Sequence, residues 1–332
     1  MGKATAVILA AGKGTRMRSA RPKVLHEVCG TTLLECVIEA VQNAEIPEII
    51  VVVGDKKEEV KDSLKGVSVK IVEQREQLGT AHAVLSASHL LSGLTDVVMV
   101  LNGDAPLIKT QTLKRLIVAN KEADADLTLL TAFVDRPDGY GRIFRDAHRR
   151  IKGIIEEGEA SVDELQIKEI NVGMYVFKVK SLLEGLSEIA PRNKKGEFYL
   201  TDIISIFYCK GKKVEGLESI NTTEVLGINT QRELAAVNQI RRDEIIGYFM
   251  DKGITIVDPA STFIESHVEI GEGTKAYPFI TYICKNVVIG QRCCIGPFAY
   301  IKAGTKIEDD IEVSGMMDKA GLFPRIEGQL WI

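Results

Sequence analysis

The sequence predicts an α/β protein in two parts: a doubly wound domain with a mixed sheet, then a short β-helix of hexapeptide repeats. Three observations carry this reading. Apolar strand-like runs alternate with helical stretches from Val7 to Leu101, alternating strand runs follow from Asp126, and beyond Gly253 apolar residues recur every six positions.

The first strand, Val7 to Leu9, leads into VILAAGKGTRMRSARPK, where Gly12 and Gly14 are followed by Arg16, Arg18, Arg21 and Lys23. Glycine lets the backbone approach a ligand closely, and free N–H groups with Arg and Lys neutralise an anion, so the stretch suits a phosphorylated ligand. A Walker loop needs four residues between its glycines and then Gly-Lys-Ser/Thr, and the dinucleotide fingerprint needs a third glycine where Met17 stands. Neither motif fits.

Thr32 and Glu35 form a capping box for a helix whose apolar face is Leu33, Leu34, Val37, Ile38 and Val41. EIIVVV (Glu48 to Val53) is a continuous apolar strand, as expected of a parallel sheet covered on both faces. VSVKIV, a helix from about Ala81 to Leu91, and DVVMVL repeat the βαβ rhythm. Ligands of such sheets sit at the carboxyl ends of the strands, where the opening loop and Asn102-Gly103-Asp104 both fall. LTLLTAFV, GRIFRD, RIKGIIEE and GMYVFKV then predict mixed and antiparallel strands in an added lobe that closes over the site. A second capping box, Thr230 to Glu233, opens a long polar helix to about Met250 that suits a rigid connector.

Ile264, Ile270 and Ala276, then after a one-residue insertion Ile283, Ile289, Ile295, Ile301, Ile307 and Val313, mark the hexapeptides. Small or β-branched residues stand four positions after each anchor: Val268, Thr274, Ile280, Val287, Cys293, Ala299, Thr305 and Ile311. This is the pattern of a β-helix of fewer than three full coils. Short solenoids often bury their sides in trimers, so a homotrimer through the β-helix is the expected assembly. The tail after Val313 fits neither hexapeptide nor helix, and cap, truncation and foreign addition all stay open for it.

With 332 residues there is material for two domains. A net charge of -4 argues against a general nucleic-acid or membrane-surface binder and makes the cations after Gly14 a local device. The six cysteines show no C-x-x-C pairing and are expected to be reduced and structural. The N-terminal apolar run is too short for a signal peptide or membrane span, and Ala6 spoils the myristoylation pattern, so a cytoplasmic location is expected.

LAAGKGTRM with Pro22-Lys23 resembles the signature of the sugar-1-phosphate nucleotidyltransferases. QREQLGTAHA (Gln74 to Ala83), Asn102-Gly103-Asp104, GYGRI (Gly139 to Ile143), EINVG (Glu169 to Gly173), YLTD (Tyr199 to Asp202) and Gly227-Ile228-Asn229 follow in the expected order. The set is most similar to the bifunctional N-acetylglucosamine-1-phosphate uridylyltransferases and glucosamine-1-phosphate acetyltransferases. The likeness spans about Ala6 to Val313.

The resemblance implies a Rossmann-like nucleotidyltransferase domain over residues 1–229, a connecting helix over 230–252, a left-handed β-helix over 253–315 and an irregular tail over 316–332. It implies transfer of a uridylyl group from UTP to N-acetylglucosamine-1-phosphate with release of pyrophosphate. Both reactants are anions, so the work is charge neutralisation and alignment without a covalent nucleophile.

Arg16 facing the pyrophosphate and Lys23 bridging both substrates are the catalytic cations expected. Magnesium takes one or two hard protein oxygens, and Asp104 supplies one; the resemblance adds Asn229. Nucleotide binding is expected of Leu9, Ala10, Ala11, Gly12 and Gly14, with Gln74 and Gly79; an amide can satisfy both donor and acceptor edges of uracil. Thr80 is either a further nucleotide neighbour or the N-cap of its helix. His82 is expected to pack on that helix without a catalytic role. Gly141, Glu156, Asn171, Tyr199 and Thr201 are expected at the sugar, and Arg18 and Arg21 at the surface.

The family's acetyltransferase site lies on later coils. Lys302-Ala303-Gly304 also stands where Arg-Pro-Gly is typical, so no acetyl transfer is expected. The rival readings are a nucleotidyltransferase for another sugar phosphate, such as glucose-1-phosphate, or another base, and a non-catalytic scaffold or sensor of the same fold.

Overall fold

A computed structural model describes residues 4–91, 93, 95–191 and 193–317. Contacts divide them into two units: residues 4–26 with 33–230, and 27–32 with 231–317.

The first unit is built on a nine-stranded mixed sheet. Its parallel part is Lys70–Glu73, Glu48–Val53, Ala4–Ala10 and Val97–Asn102, in that order across the sheet. Glu169–Lys178 joins antiparallel beside Val97–Asn102, then comes Leu127–Phe133, with Val214–Glu218 parallel at the edge. Among the described residues only Arg142–Arg145 and Ile151–Ile155 stand off this path, as a side hairpin; Leu127–Phe133 and Glu169–Lys178, expected in an added lobe, instead continue the main sheet, because their long apolar runs pair beside Val97–Asn102.

The parallel strands are apolar on both sides because helices cover both faces. Ile8, Val51, Leu101 and Leu130 pack with Leu34, Val37 and Leu116 in one core, while Val7, Val52, Val100 and Leu129 pack with Val84, Leu182 and Phe207 in the other. Leu34 and Val37 lie on the helix Leu33–Asn43, whose predicted apolar face is buried throughout. The strand order turns back at Ala4–Ala10 and Val97–Asn102, so their carboxyl ends open at a topological switch point.

In the second unit the helix Gln231–Asp251 precedes eleven short strands, arranged as two four-stranded and one three-stranded parallel sheets. This is the parallel β-helix, and it exceeds the expected fewer than three coils because Thr255–Ile256 and Met316–Met317 add strands to the stack at both ends, outside the six-residue spacing. All the anchors from Ile264 to Val313 point inward, with Ile270 only partly buried.

Two of the secondary positions differ from expectation. Ile280 is 64% exposed, since the inserted residue falls before it and hands the inward place to Thr281, which is fully buried. Ile311 is exposed as well. The hairpin Glu27–Val28 and Thr31–Thr32 packs on the long helix and belongs with this unit although its sequence neighbours do not. Among the described residues no helix is long and apolar enough to cross a membrane, and the six cysteines form no disulfide.

Candidate active site

The loop after Ala4–Ala10 turns through Gly14, whose φ of 60° is left-handed. A Cβ there would lie 2.6 Å from Cβ of Lys23, so only glycine lets the loop close against that lysine. Arg16 follows in a one-turn 3-10 helix (Thr15–Met17), anchored by buried Met17, and Lys23 opens another (Lys23–Leu25) anchored by Val24 and Leu25. Asp104 comes just past Val97–Asn102, the neighbouring strand at the switch point.

The long-range partners of these residues converge on one acceptor. Asn229 Oδ1 accepts from Lys23 Nζ at 2.8 Å and from an Arg16 guanidinium nitrogen at 2.8 Å. Lys23 Nζ also pairs with Asp104 Oδ2, and the two side chains are 13% and 23% exposed. The Asn229 segment is held by Ile228 N–H donating to the Asp104 carbonyl at 3.1 Å and Gly227 N–H donating to the Tyr140 hydroxyl at 3.2 Å. Residues that are far apart in the sequence thereby form one charged seam.

The seam lies where two pockets meet. One, of about 540 Å³, is lined by Leu9 to Arg16, Lys23, Gln74, Gly79 and Thr80. The other, of about 310 Å³, is lined by Gly141, Glu156, Asn171, Gly173 and Thr201. Leu9, Arg16, Thr80, Asn102, Asp104 and Asn229 line both. The cleft thus has a glycine-rich, cationic lobe and a lobe of amide, hydroxyl and carboxylate groups.

In the first lobe Gln74 is buried, and its Nε2 lies 3.0 Å from the Gly79 carbonyl and 3.1 Å from His82 Nδ1. Both amide hydrogens have protein partners, so Oε1 is what Gln74 can offer a ligand, and His82 acts as its brace. The Thr80 hydroxyl is no N-cap. Gly79, at φ 114°, holds that position, and the hydroxyl accepts from Leu200 N–H at 2.9 Å. It thereby ties the first lobe to the stretch that carries Tyr199 and Thr201.

In the second lobe the Thr201 hydroxyl donates to Glu156 Oε1 at 2.9 Å. Burial raises the Glu156 carboxyl above its ordinary range, with the Thr201 hydrogen bond opposing. Asn171 Nδ2 donates to the Tyr175 hydroxyl at 2.8 Å, and its Oδ1 accepts from Gly173 N–H at 3.1 Å, where the strand is bulged and Gly173 takes φ 81°. A Cβ on Gly141 would meet Ile154 Cγ2 at 2.8 Å.

Tyr199, expected beside Glu156 and Thr201, lines the first lobe instead. Arg18 and Arg21 are exposed and line neither pocket. Sequence reasoning missed Lys195 and Glu197 in the first lobe, because RNKKGE reads as a solvated loop, and it missed Tyr140 as the support of Gly227. The aromatic residue between two motif glycines was the available signal.

Asp104 Oδ2 and Asn229 Oδ1 both reach one ammonium, so two hard oxygens converge on a point where a divalent cation would find ligands. Among the described residues no group of three or more His, Cys, Asp or Glu could hold a metal, which leaves the remaining ligands to phosphates and water. The donor set fits magnesium.

Residues 6–195 match the family described as MobA-like NTP transferase domain. The Bifunctional protein GlmU of Pelotomaculum thermopropionicum is 46% identical over 94% of this chain and 75% of its own length. That of Clostridium novyi is 39% identical over 95% and 76%. A UDP-glucose pyrophosphorylase solved with UDP-glucose shares the fold, with a TM-score of 0.59 at 18% identity over 74% of this chain and all of its own. With the seam at the switch point of the first unit and a parallel β-helix in the second, the chain belongs to the GlmU family of nucleotidyltransferases.

Proposed function

We propose that this protein transfers a uridylyl group from UTP to N-acetylglucosamine-1-phosphate, releasing pyrophosphate and forming UDP-N-acetylglucosamine. The observation that carries the reading is the shared wall of the two lobes, where Lys23, Arg16, Asp104 and Asn229 meet. A cationic glycine loop on one side suits a triphosphate, and a hydroxyl, amide and carboxylate set on the other suits a sugar.

A phosphate oxygen of the sugar phosphate forms the new bond to the α-phosphorus as the bond to the bridging β-phosphate oxygen breaks. Pyrophosphate leaves with that electron pair. Lys23, which lines the first lobe and reaches Asp104 and Asn229 of the shared wall, neutralises charge on both phosphates and brings them into line; Arg16 takes the charge that grows on the leaving group. Magnesium held by Asp104 and Asn229 would supply the remaining positive charge. The loop over residues 9–14, Gly79 and Gln74 Oε1 orient the base, with Thr80 beside them tying the two lobes together through Leu200 N–H. Glu156, Asn171, Gly141 and Thr201 orient the sugar, with Tyr199 at the nucleotide side. The residue division 1–229, 230–252 and 253–315, the trimer through the β-helix and the cytoplasmic location belong to the same reading; of the expected tail 316–332, Met316–Met317 joins the β-helix and 318–332 lie outside the described residues. So do the absence of nucleic-acid and membrane partners and the lack of acetyl transfer by this sequence.

Pyrophosphate release from UTP and N-acetylglucosamine-1-phosphate with magnesium tests the reading, alongside glucose-1-phosphate and the other nucleoside triphosphates. A preference for another pair would shift the substrate assignment, and no release with any pair would leave the scaffold reading standing.

A further inference from the structure

The second unit holds a cavity of about 410 Å³ among the Glu27–Thr32 hairpin, the long helix and the first two coils of the β-helix. It lies entirely within that unit and shares no residue with the two-lobed cleft. Its size is within the range of small-molecule pockets.

The wall is built rather than incidental. Phe263 and Tyr282 stack with ring centroids 5.8 Å apart and planes 16° from parallel, and the Arg242 guanidinium lies 5.0 Å from the Phe263 ring centroid. Arg242 is 13% exposed at its side chain. Among the described residues its terminal nitrogens reach the Ala260 carbonyl and Asp243, each at 3.3 Å, and its Nε is buried with no acceptor. Two bonds at 3.3 Å leave the four terminal N–H groups with capacity for a ligand acceptor, and a hydrogen bond to a charged donor is worth more than one between neutral groups.

Opposite it in character is Glu265. Its two oxygens accept from the Tyr282 hydroxyl and from Lys285 N–H, both at 2.7 Å, and each keeps a second lone pair. The Cys29 thiol is pushed up to about 11, chiefly by burial, so it stays neutral and adds no charge. Asn238 holds the hairpin turn by accepting from Cys29 N–H at 3.0 Å. Donor and acceptor beside an aromatic wall match a ligand with a carbonyl next to an N–H. Glu265, with Glu27 exposed at the rim, disfavours an anion.

We propose that this cavity is a binding site for a small, neutral, planar ring bearing a carboxamide or lactam, its carbonyl on Arg242 and its N–H toward Glu265. Ligand-observed saturation-transfer NMR with nicotinamide as probe tests it on the full chain, with UTP and magnesium present to occupy the cleft. Saturable binding with a Kd of about 1 mM is expected for so small a ligand. It should weaken at least about tenfold in Arg242→Met, which keeps the stem but not the donors, and in Phe263→Leu, which keeps the charge. Benzoate should bind more weakly than nicotinamide. Absence of saturable nicotinamide binding, equal binding by both variants, or tighter binding of benzoate would overturn the proposal. Because Phe263 is partly exposed, that variant tests the site even where Arg242→Met fails to fold.

Discussion

In the first unit nine strands end in loops of unlike sequence, and the polar groups collect at one end of the sheet, where Ala4–Ala10 and Val97–Asn102 stop. In the second unit each short strand ends in a turn much like the last, and apolar anchors stack coil upon coil from Ile264 to Val313. The first arrangement concentrates chemistry at a discontinuity, because a switch point leaves a crevice that no side chain of the core fills. The second spreads stability evenly, because every coil buries the same kind of residue against its neighbours. A substitution in one unit should therefore be felt as lost rate, and in the other as lost stability.

The largest effect expected is on stability. Ile295 is fully buried in the middle of the β-helix, and Ile295→Ala should cost about 2–5 kcal/mol by denaturant unfolding of that unit. The rate of pyrophosphate release should stay near wild type while the protein is folded; a large fall in rate with no loss of stability would break the comparison.

Lys23→Ala and Asp104→Ala should each lower kcat/KM for pyrophosphate release about 10²- to 10³-fold, with melting temperatures near that of wild type. Each removes half of the pair that joins the first lobe to the shared wall. Rates equal to wild type would remove both residues from the mechanism. Asp104→Ala should also raise the magnesium concentration needed for half-maximal rate, whereas Lys23→Ala should not.

Gly14→Ala should cost about 1–2 kcal/mol for a left-handed non-glycine residue and push Lys23 aside, since its Cβ would lie 2.6 Å from that of the lysine. A decline of about tenfold in kcat/KM is expected, measured by initial rates. An unchanged rate would show that the loop can open without disturbing the lysine.

The smallest effect concerns pH. Burial raises the Glu156 carboxyl above its ordinary value, so the folded protein binds that proton more tightly than the unfolded chain. Stability from this group is full below the ordinary carboxylate pKa and is lost as pH rises through the raised one. Glu156→Gln should flatten that slope. It should also raise KM for the sugar phosphate while leaving KM for UTP unchanged, which distinguishes the two lobes kinetically. A pH dependence of unfolding identical to wild type would remove Glu156 as its source.

Much of the fold was legible in the sequence because its signals are local. The run Glu48–Val53 is apolar at nearly every position since both faces of a parallel sheet are covered. The six-residue period was legible since one coil's anchors repeat, and it failed at two secondary positions: Ile280, where the insertion shifts the inward place by one residue, and Ile311, which is exposed. Thr80 was ambiguous for a physical reason: a hydroxyl at a helix start can serve its own helix or a distant backbone, and only the arrival of Leu200 N–H decides. Lys195 and Glu197 carried no signal, because a charged residue in a polar loop looks the same whether it faces solvent or a cleft.

By itself the sequence determined the order of elements, the phosphate-suited loop and the repeat of the solenoid, all of which rest on spacing along the chain. Tertiary structure alone decided that Asn229 Oδ1 receives both Arg16 and Lys23, that Gln74 is left with only its carbonyl oxygen to offer, and that the Glu27–Thr32 hairpin belongs with the second unit. Each depends on which distant backbone and side-chain groups meet. Hydrogen-bonding capacity is a property of residue type, but how it is used depends on the partners that folding brings within reach.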